Sequence, residues 1–226
     1  MQRKRPQVRS RLGAGLALAL WAAACGEPPR FDPTELGGWA IDVHADGAVV
    51  RHGRIGSGRF ESRGTYVLVD VDNPLSVDLD VTLEGDLVDA HGDRIGALNR
   101  DALRIPARDF RTFALVHHDG EVPAATGADI RVVDARIARF PADTVRMHDT
   151  HGYRDEGRAV VAANFTNEGE RETIVVVIAA FYDRDGHIMS RPHTILRIPS
   201  GVTHPARFVG PPGSDRGYMF LGEQVW

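Results

Sequence analysis

Cysteine is almost missing from this chain: Cys25 is the only one in 226 residues. An intramolecular disulfide is excluded, so stability has to come from an apolar core. Nucleophilic motifs are missing too. There is no Gly-x-Ser-x-Gly elbow and no Ser-x-x-Lys, and Ser57, Ser62, Ser76, Ser190, Ser200 and Ser214 lie mostly in Gly, Arg or Pro contexts typical of turns. No enzyme is expected. Neither half carries a convincing helical period. The longest uncharged apolar run, Leu12–Ala24, spans about 20 Å as a helix, short of the roughly 30 Å hydrocarbon core of a bilayer. A stable transmembrane anchor is therefore not expected.

That run is instead flanked as a secretory leader. Arg3, Lys4, Arg5, Arg9 and Arg11 precede it, and Ala22-Ala23-Ala24 places small residues at its end. Cys25 follows directly, and this order resembles the lipobox of bacterial lipoproteins, with Ala22 where the pattern usually has Leu. The resemblance implies that the Cys25 thiol is diacylated and becomes the mature N-terminus. Gly26 after it resembles lipoproteins sorted to an outer membrane, facing the periplasm. The alternative is an ordinary signal peptide cut after Ala24, giving a secreted or cell-surface protein.

Without the five leader cations, 22 Lys+Arg face 31 Asp+Glu, a net charge of −9 against −4 for the whole chain. Lysine is absent from this mature part, and no Lys/Arg cluster forms. That argues against a nucleic-acid partner and against a polybasic grip on anionic lipid. The expected membrane contact is through the acyl chains on Cys25.

The rest of the chain repeats itself. Asn73-Pro74-Leu75, Leu87-Val88-Asp89-Ala90-His91-Gly92, Leu103-Arg104-Ile105-Pro106 and Phe113 recur as Asn167-Glu168-Gly169, Phe181-Tyr182-Asp183-Arg184-Asp185-Gly186, Leu196-Arg197-Ile198-Pro199 and Phe208. Val77, Leu79, Val81 and Leu83 alternate with polar residues, the period of a strand with one buried face. The matching stretch Ile174–Ala180 is continuously apolar and β-branched, which predicts a strand buried on both faces. Tyr66–Val71 and Ala159–Ala163 supply the preceding strands. Residues 89–92 and 183–186 are turn signals, with Asp bonding locally and Gly supplying positive φ. Tyr218-Met219-Phe220-Leu221 and Val225-Trp226 read as a closing strand. Thirteen prolines and 24 glycines punctuate short strands, as in an all-β sandwich.

Each repeat runs strand, Asn turn, apolar strand, Asp-x-x-Gly, Leu-x-Ile-Pro and a late Phe. This resembles the FxLYD-type, immunoglobulin-like modules of bacterial envelope lipoproteins; the first repeat has Leu87-Val88 where the second has the aromatic pair Phe181-Tyr182. The resemblance implies two tandem immunoglobulin-like β-sandwich domains with no catalytic residues. The expected division is 1–24 signal peptide, 25–37 lipidated Cys and proline-rich tether, 38–120 first sandwich, 121–129 linker and 130–226 second sandwich. The expected function is a non-enzymatic, membrane-anchored lipoprotein that binds or scaffolds another envelope protein.

Histidine offers the alternative, since ten are present. His148-Asp149-Thr150-His151 and His117-His118-Asp119 are the densest pairs. His148 and His151, in a polar loop before a strand, are the metal candidates, with Asp149 or Asp155 as a third ligand for a periplasmic metal-binding protein. Two histidines are half a site, and no metal or other cofactor is expected. Asp183-Arg184-Asp185-Gly186 lacks the distal Glu of a calcium loop and reads as a hairpin turn. Gly53-x-x-Gly56-x-Gly58 has no following helix and also reads as a hairpin, not a nucleotide loop.

Overall fold

The computed structural model describes residues 41–44, 47–55, 62–138 and 144–224. The leader, Cys25, the tether, Gly56, Gly58 and Val225-Trp226 lie outside the described residues. The chain is all-β, and no α-helix occurs among the described residues. None is therefore long and apolar enough to cross a membrane.

The strands are β1 (Asp42–Val43), β2 (Val49–Ile55), β3 (Ser62–Asp72), β4 (Leu79–Val88), β5 (Arg94–Ile105), β6 (Phe110–His117) and β7 (Gly127–Ile137), then β8 (Val145–Asp155), β9 (Arg158–Asn167), β10 (Thr173–Tyr182), β11 (Ile188–Ser190), β12 (His193–Ile198), β13 (Thr203–Val209) and β14 (Arg216–Gln224). They form four antiparallel sheets. In the first repeat β3 lies between β6 and the edge shared by β1 and β2, while β4 lies between β5 and β7. In the second, β9 lies between β8 and β13, and β10 lies between β14 and the edge shared by β11 and β12. Each repeat is thus a pair of sheets, with β2, β3, β4, β5, β6 and β7 matched by β8, β9, β10, β11/β12, β13 and β14.

The domain boundary differs from the sequence expectation. Glu121–Asp129 is not a free linker, and the second repeat does not begin at Ile130. Residues Gly127–Ile137 form β7, which pairs with β4 from Val88↔Gly127 to Leu79↔Ile137. An apolar-polar alternation marks a strand but not its partner; β7 closes the first repeat as β14 closes the second.

The landmarks of the repeat are its hydrogen-bonding joints. Asn73 and Asn167 are fully buried. Asn73 Nδ2 donates to the carbonyls of Val77 (2.8 Å), Ile105 (3.0 Å) and Pro106 (3.0 Å), and its Oδ1 accepts from Leu75 N–H. Asn167 repeats the pattern with Arg171 (2.7 Å), Ile198 (2.9 Å) and Gly169 N–H. A short amide thereby ties the strand end to the Leu-x-Ile-Pro segment and leaves no buried polar atom of its own unmet. Asp89 Oδ1 accepts from the N–H groups of His91 and Asp93, as Asp183 Oδ1 does from Asp185 and His187. Two residues after each Ile-Pro the backbone turns left-handed, at Arg108 (φ 58°) in one repeat and Gly201 (φ 71°) in the other.

One core fills the second repeat, from Val161, Ala163 and Phe165 to Val175, Val177, Phe181 and Ile198. Phe181 fits because Gly217 is its cross-strand partner; a Cβ there would lie 2.7 Å from the ring. The first core, from Val67, Val69, Phe113 and Leu115 to Val81, Leu83, Leu87 and Ile105, also takes in Ile178, Ala180, Tyr182, Ile188 and Phe220 of the second repeat. The outer face of the β10 sheet is therefore covered by the first repeat, through its β3, β5 and β6. The Tyr182 hydroxyl donates to Asp70 Oδ1 (2.9 Å) and lies 2.8 Å from Thr112 Oγ1. Phe110 meets Tyr218 edge-on, and the Arg111 guanidinium covers the Phe220 ring at 5.0 Å. Arg51 donates to the Ile188 carbonyl, and Arg191 lies 3.5 Å from Asp101. Burying each large apolar side chain there contributes roughly 1.5–3 kcal/mol.

Candidate functional site

Two outward sheet faces remain, and they differ chemically. On the β5-β4-β7 face the acids of β4 meet arginines of its neighbours: Asp80 with Arg104 (3.0 Å), Glu84 with Arg100 (2.9 Å) and Arg131 (2.7 Å), and Asp86 with Arg94 (2.8 Å). These cross-strand pairs neutralise one another.

The β8-β9-β13 face carries the histidines singled out from the sequence. His148-Asp149-Thr150-His151 is not a loop before a strand but part of β8 itself, paired with β9. Polar composition hid it, because a strand with one solvated face needs few apolar residues. The register shifts between His148 and His151, and Asp149 adopts φ 52° at this bulge, which turns its carboxylate outward. Asp149 Oδ2 contacts His148 Nδ1 at 2.8 Å and accepts from Asn164 Nδ2 at 3.1 Å. These contacts hold the carboxyl below the ordinary carboxylate range, the Asn164 bond most strongly.

His148 has no nitrogen to spare. Its Nδ1 serves Asp149, and its Nε2 lies 2.8 Å from Thr166 Oγ1, which meets Thr203 Oγ1 at 2.7 Å. His151 Nδ1 donates to the Asp149 carbonyl (3.0 Å), so in the neutral ring Nε2 is an acceptor. No third metal ligand accompanies the pair among the described residues, and Asp155 instead lies 3.5 Å from Arg207. The group that does converge lies elsewhere, in the turn between β10 and β11: Asp183, Asp185 and His187, whose ligand atoms lie within 4.8 Å of one another. Its Asp183 already holds the hairpin turn through two N–H groups and pairs with His187 Nδ1 at 3.2 Å, an arrangement that Asp89 shares in its backbone part. His117, from the other sequence pair, is tied to the Ala97 carbonyl.

Sequence reasoning missed the residues that complete the β8 site. Register places Ala162 of β9 between His151 and Arg207, and Asn164 between His148 and Pro205. A methyl group flanked by long side chains leaves a low spot. The resulting open depression of ≈ 360 Å³ is lined by Asp149, His151, Ala162, Ala163, Asn164, Pro205, Ala206 and Arg207, the low end of the roughly 300–1,000 Å³ of small-ligand clefts. His151 stacks on Tyr153 with ring centroids 6.1 Å apart, and Arg207 Nε donates to the Tyr153 hydroxyl. Tyr153 and Val209, both exposed, form an apolar rim. The only sequence signal was alternation in β9 and β13, which names faces but not neighbours.

No family model and no curated protein matches the chain. Among solved structures it is similar to red sea bream transglutaminase, at 14% identity and a TM-score of 0.21, covering 76% of this chain and 31% of that one. It is also similar to the N-terminal CBM22-1–CBM22-2 tandem of Xyn10C from Paenibacillus barcinonensis, at 9% identity and a TM-score of 0.15, covering 91% and 92%. The chain spans about a third of the transglutaminase's length, and TM-scores this low carry no functional argument.

Proposed function

We propose that this protein is a non-enzymatic envelope lipoprotein, anchored through acyl chains on Cys25, whose tandem immunoglobulin-like modules bind another envelope component. The observation that carries this reading is the contrast between the faces. One sheet of each repeat is consumed in the junction, one outward face is neutralised by its own ion pairs, and the β8-β9-β13 face presents Tyr153, Val209 and an open depression. The leader supports the anchor, and in this reading the acyl chains face the periplasm from an outer membrane.

Two experiments test it. Metabolic labelling with a palmitate analogue is expected to mark the protein and to be lost in Cys25→Ser; undiminished labelling refutes the anchor. A photocrosslinker at Val209 in intact envelopes is expected to give a discrete adduct that the same probe at Thr82, on the opposite outward face, does not. Identical patterns from both positions, or no adduct at either, would remove the binding reading.

A further inference from the structure

We infer that the depression at the β8 bulge binds a neutral polyhydroxylated ligand, a sugar unit of a glycan chain, between Asp149, His151, Asn164 and Arg207. This deepens the reading of the β8-β9-β13 face as the binding surface and rests on it. The first argument is charge. One carboxylate and one guanidinium line the same small space, so a ligand of either net charge meets repulsion as well as attraction. The second is the mixture of donors and acceptors. Asp149 Oδ1 and the His151 Nε2 accept; Asn164 spends one Nδ2 hydrogen on Asp149 Oδ2 and Arg207 its Nε–H on Tyr153, and the remaining N–H groups of both can donate. A hydroxyl both donates and accepts, so vicinal hydroxyls satisfy such a set where an ion or a purely apolar group does not.

Shape agrees. Ala162 lets a ring approach the sheet, and the stacked His151–Tyr153 pair offers an aromatic wall against which the C–H face of a sugar can rest. β9 beneath the depression is paired on both edges, so an added strand could pair only along the outer edges of β8 or β13 and not over the depression itself. The site is also preformed. The bulge, the left-handed Asp149 and the Thr203–Thr166–His148–Asp149 chain of contacts hold the carboxylate in place without a ligand.

The test uses the full-length protein in detergent and saturation-transfer NMR with neutral tetrasaccharides, one β-1,4-linked glucose and one β-1,4-linked N-acetylglucosamine, beside a tetrapeptide of mixed sequence. Transfer to at least one saccharide is expected. Ala162→Leu, which fills the depression, and Arg207→Ala should each weaken its binding about tenfold or more, about 1.4 kcal/mol. Circular dichroism of both variants keeps loss of fold apart from loss of site. Transfer to neither saccharide, saccharide binding unchanged in both folded variants, or binding of the peptide alone overturns the inference. A discrete Val209 adduct alongside absent saccharide binding would remove only the ligand class; loss of that adduct removes the binding face as well.

Discussion

Strands β4 and β10 occupy the same place in the two repeats, and one face of each is nearly the same. Val81, Leu83, Gly85 and Leu87 correspond to Val175, Val177, Ala179 and Phe181, all buried in their own cores. The other faces share nothing. Asp80, Glu84 and Asp86 on β4 look outward into arginines, with Thr82 among them, whereas Ile174, Val176, Ile178 and Ala180 replace them on β10, where the first repeat covers the last three. Duplicated modules thus keep the residues that make the fold and diverge where they make the assembly. The repeats are joined by packing as much as by chain.

The largest test transplants one face onto the other. Ile178→Glu places the charge of Glu84 into the junction without a partner, and a loss of about 3–5 kcal/mol is expected in denaturant unfolding. The reverse change, Glu84→Ile, should have a much smaller effect, because it removes only solvent-screened ion pairs at the surface. Equal effects would mean that the junction is not buried in solution. Next come the shared joints. Asn73→Ala and Asn167→Ala each strand several buried carbonyls and should each cost about 3 kcal/mol; a large asymmetry would show that the two joints are not equivalent in energy.

The Asp70 clasp has no counterpart in the second repeat's interior, and it gives the junction a pH dependence. Burial raises the Asp70 carboxyl, against the hydrogen bonds from Thr112 and Tyr182 and the charge of His44. Asp101, beside Arg191, is raised for the same reason. A carboxyl raised by folding stabilises fully below its ordinary value of 3.8, and that stabilisation is lost as pH rises through the raised value. Thr112 Oγ1 (2.6 Å) and Tyr182 Oη (2.9 Å) both donate to Asp70 Oδ1 and favour its ionised form, but burial outweighs them. Asp70→Asn should therefore flatten the decline of thermal stability as pH rises above 3.8; an unchanged pH profile would place the effect elsewhere. Glu84, Asp149 and Asp183, held low by arginine, asparagine and backbone partners respectively, act in the opposite sense. Asp149 is exposed and Glu84 and Asp183 lie partly exposed at the surface, so solvent screens their share. The smallest effect separates the left-handed turns. Arg108→Gly should be neutral or stabilising by a few tenths of a kcal/mol, and Gly201→Ala should cost about 1 kcal/mol, since open space leaves only backbone strain to decide.

Much of the fold was legible because its signals are local. The alternation in β4 and the unbroken apolar run in β10 announced one buried face and two, and the repeated Asn, Asp-x-x-Gly and Ile-Pro landmarks mark the joints that the side chains make. The β7 strand was misplaced because its pattern is satisfied by any sheet edge, and its true partner β4 lies about forty residues away along the chain. In sequence His148 and His151 look like a loop, because nothing in a polar stretch reports that a neighbouring strand will pair with it. The depression was invisible for the same reason: Ala162 becomes a floor only when His151 and Arg207 stand on either side.

Local chemistry was therefore enough for the strands, the turns and the two-sided burial of Ile174–Ala180, since each depends on residues within a few positions of one another, and the duplication is the same local pattern met twice. What covers the second face of β10, which repeat owns β7 and which residues share the depression all followed from packing. Those are pairings between distant segments, selected by cross-strand register and by the free energy of burying whole faces together, and a one-dimensional pattern does not encode which face finds which.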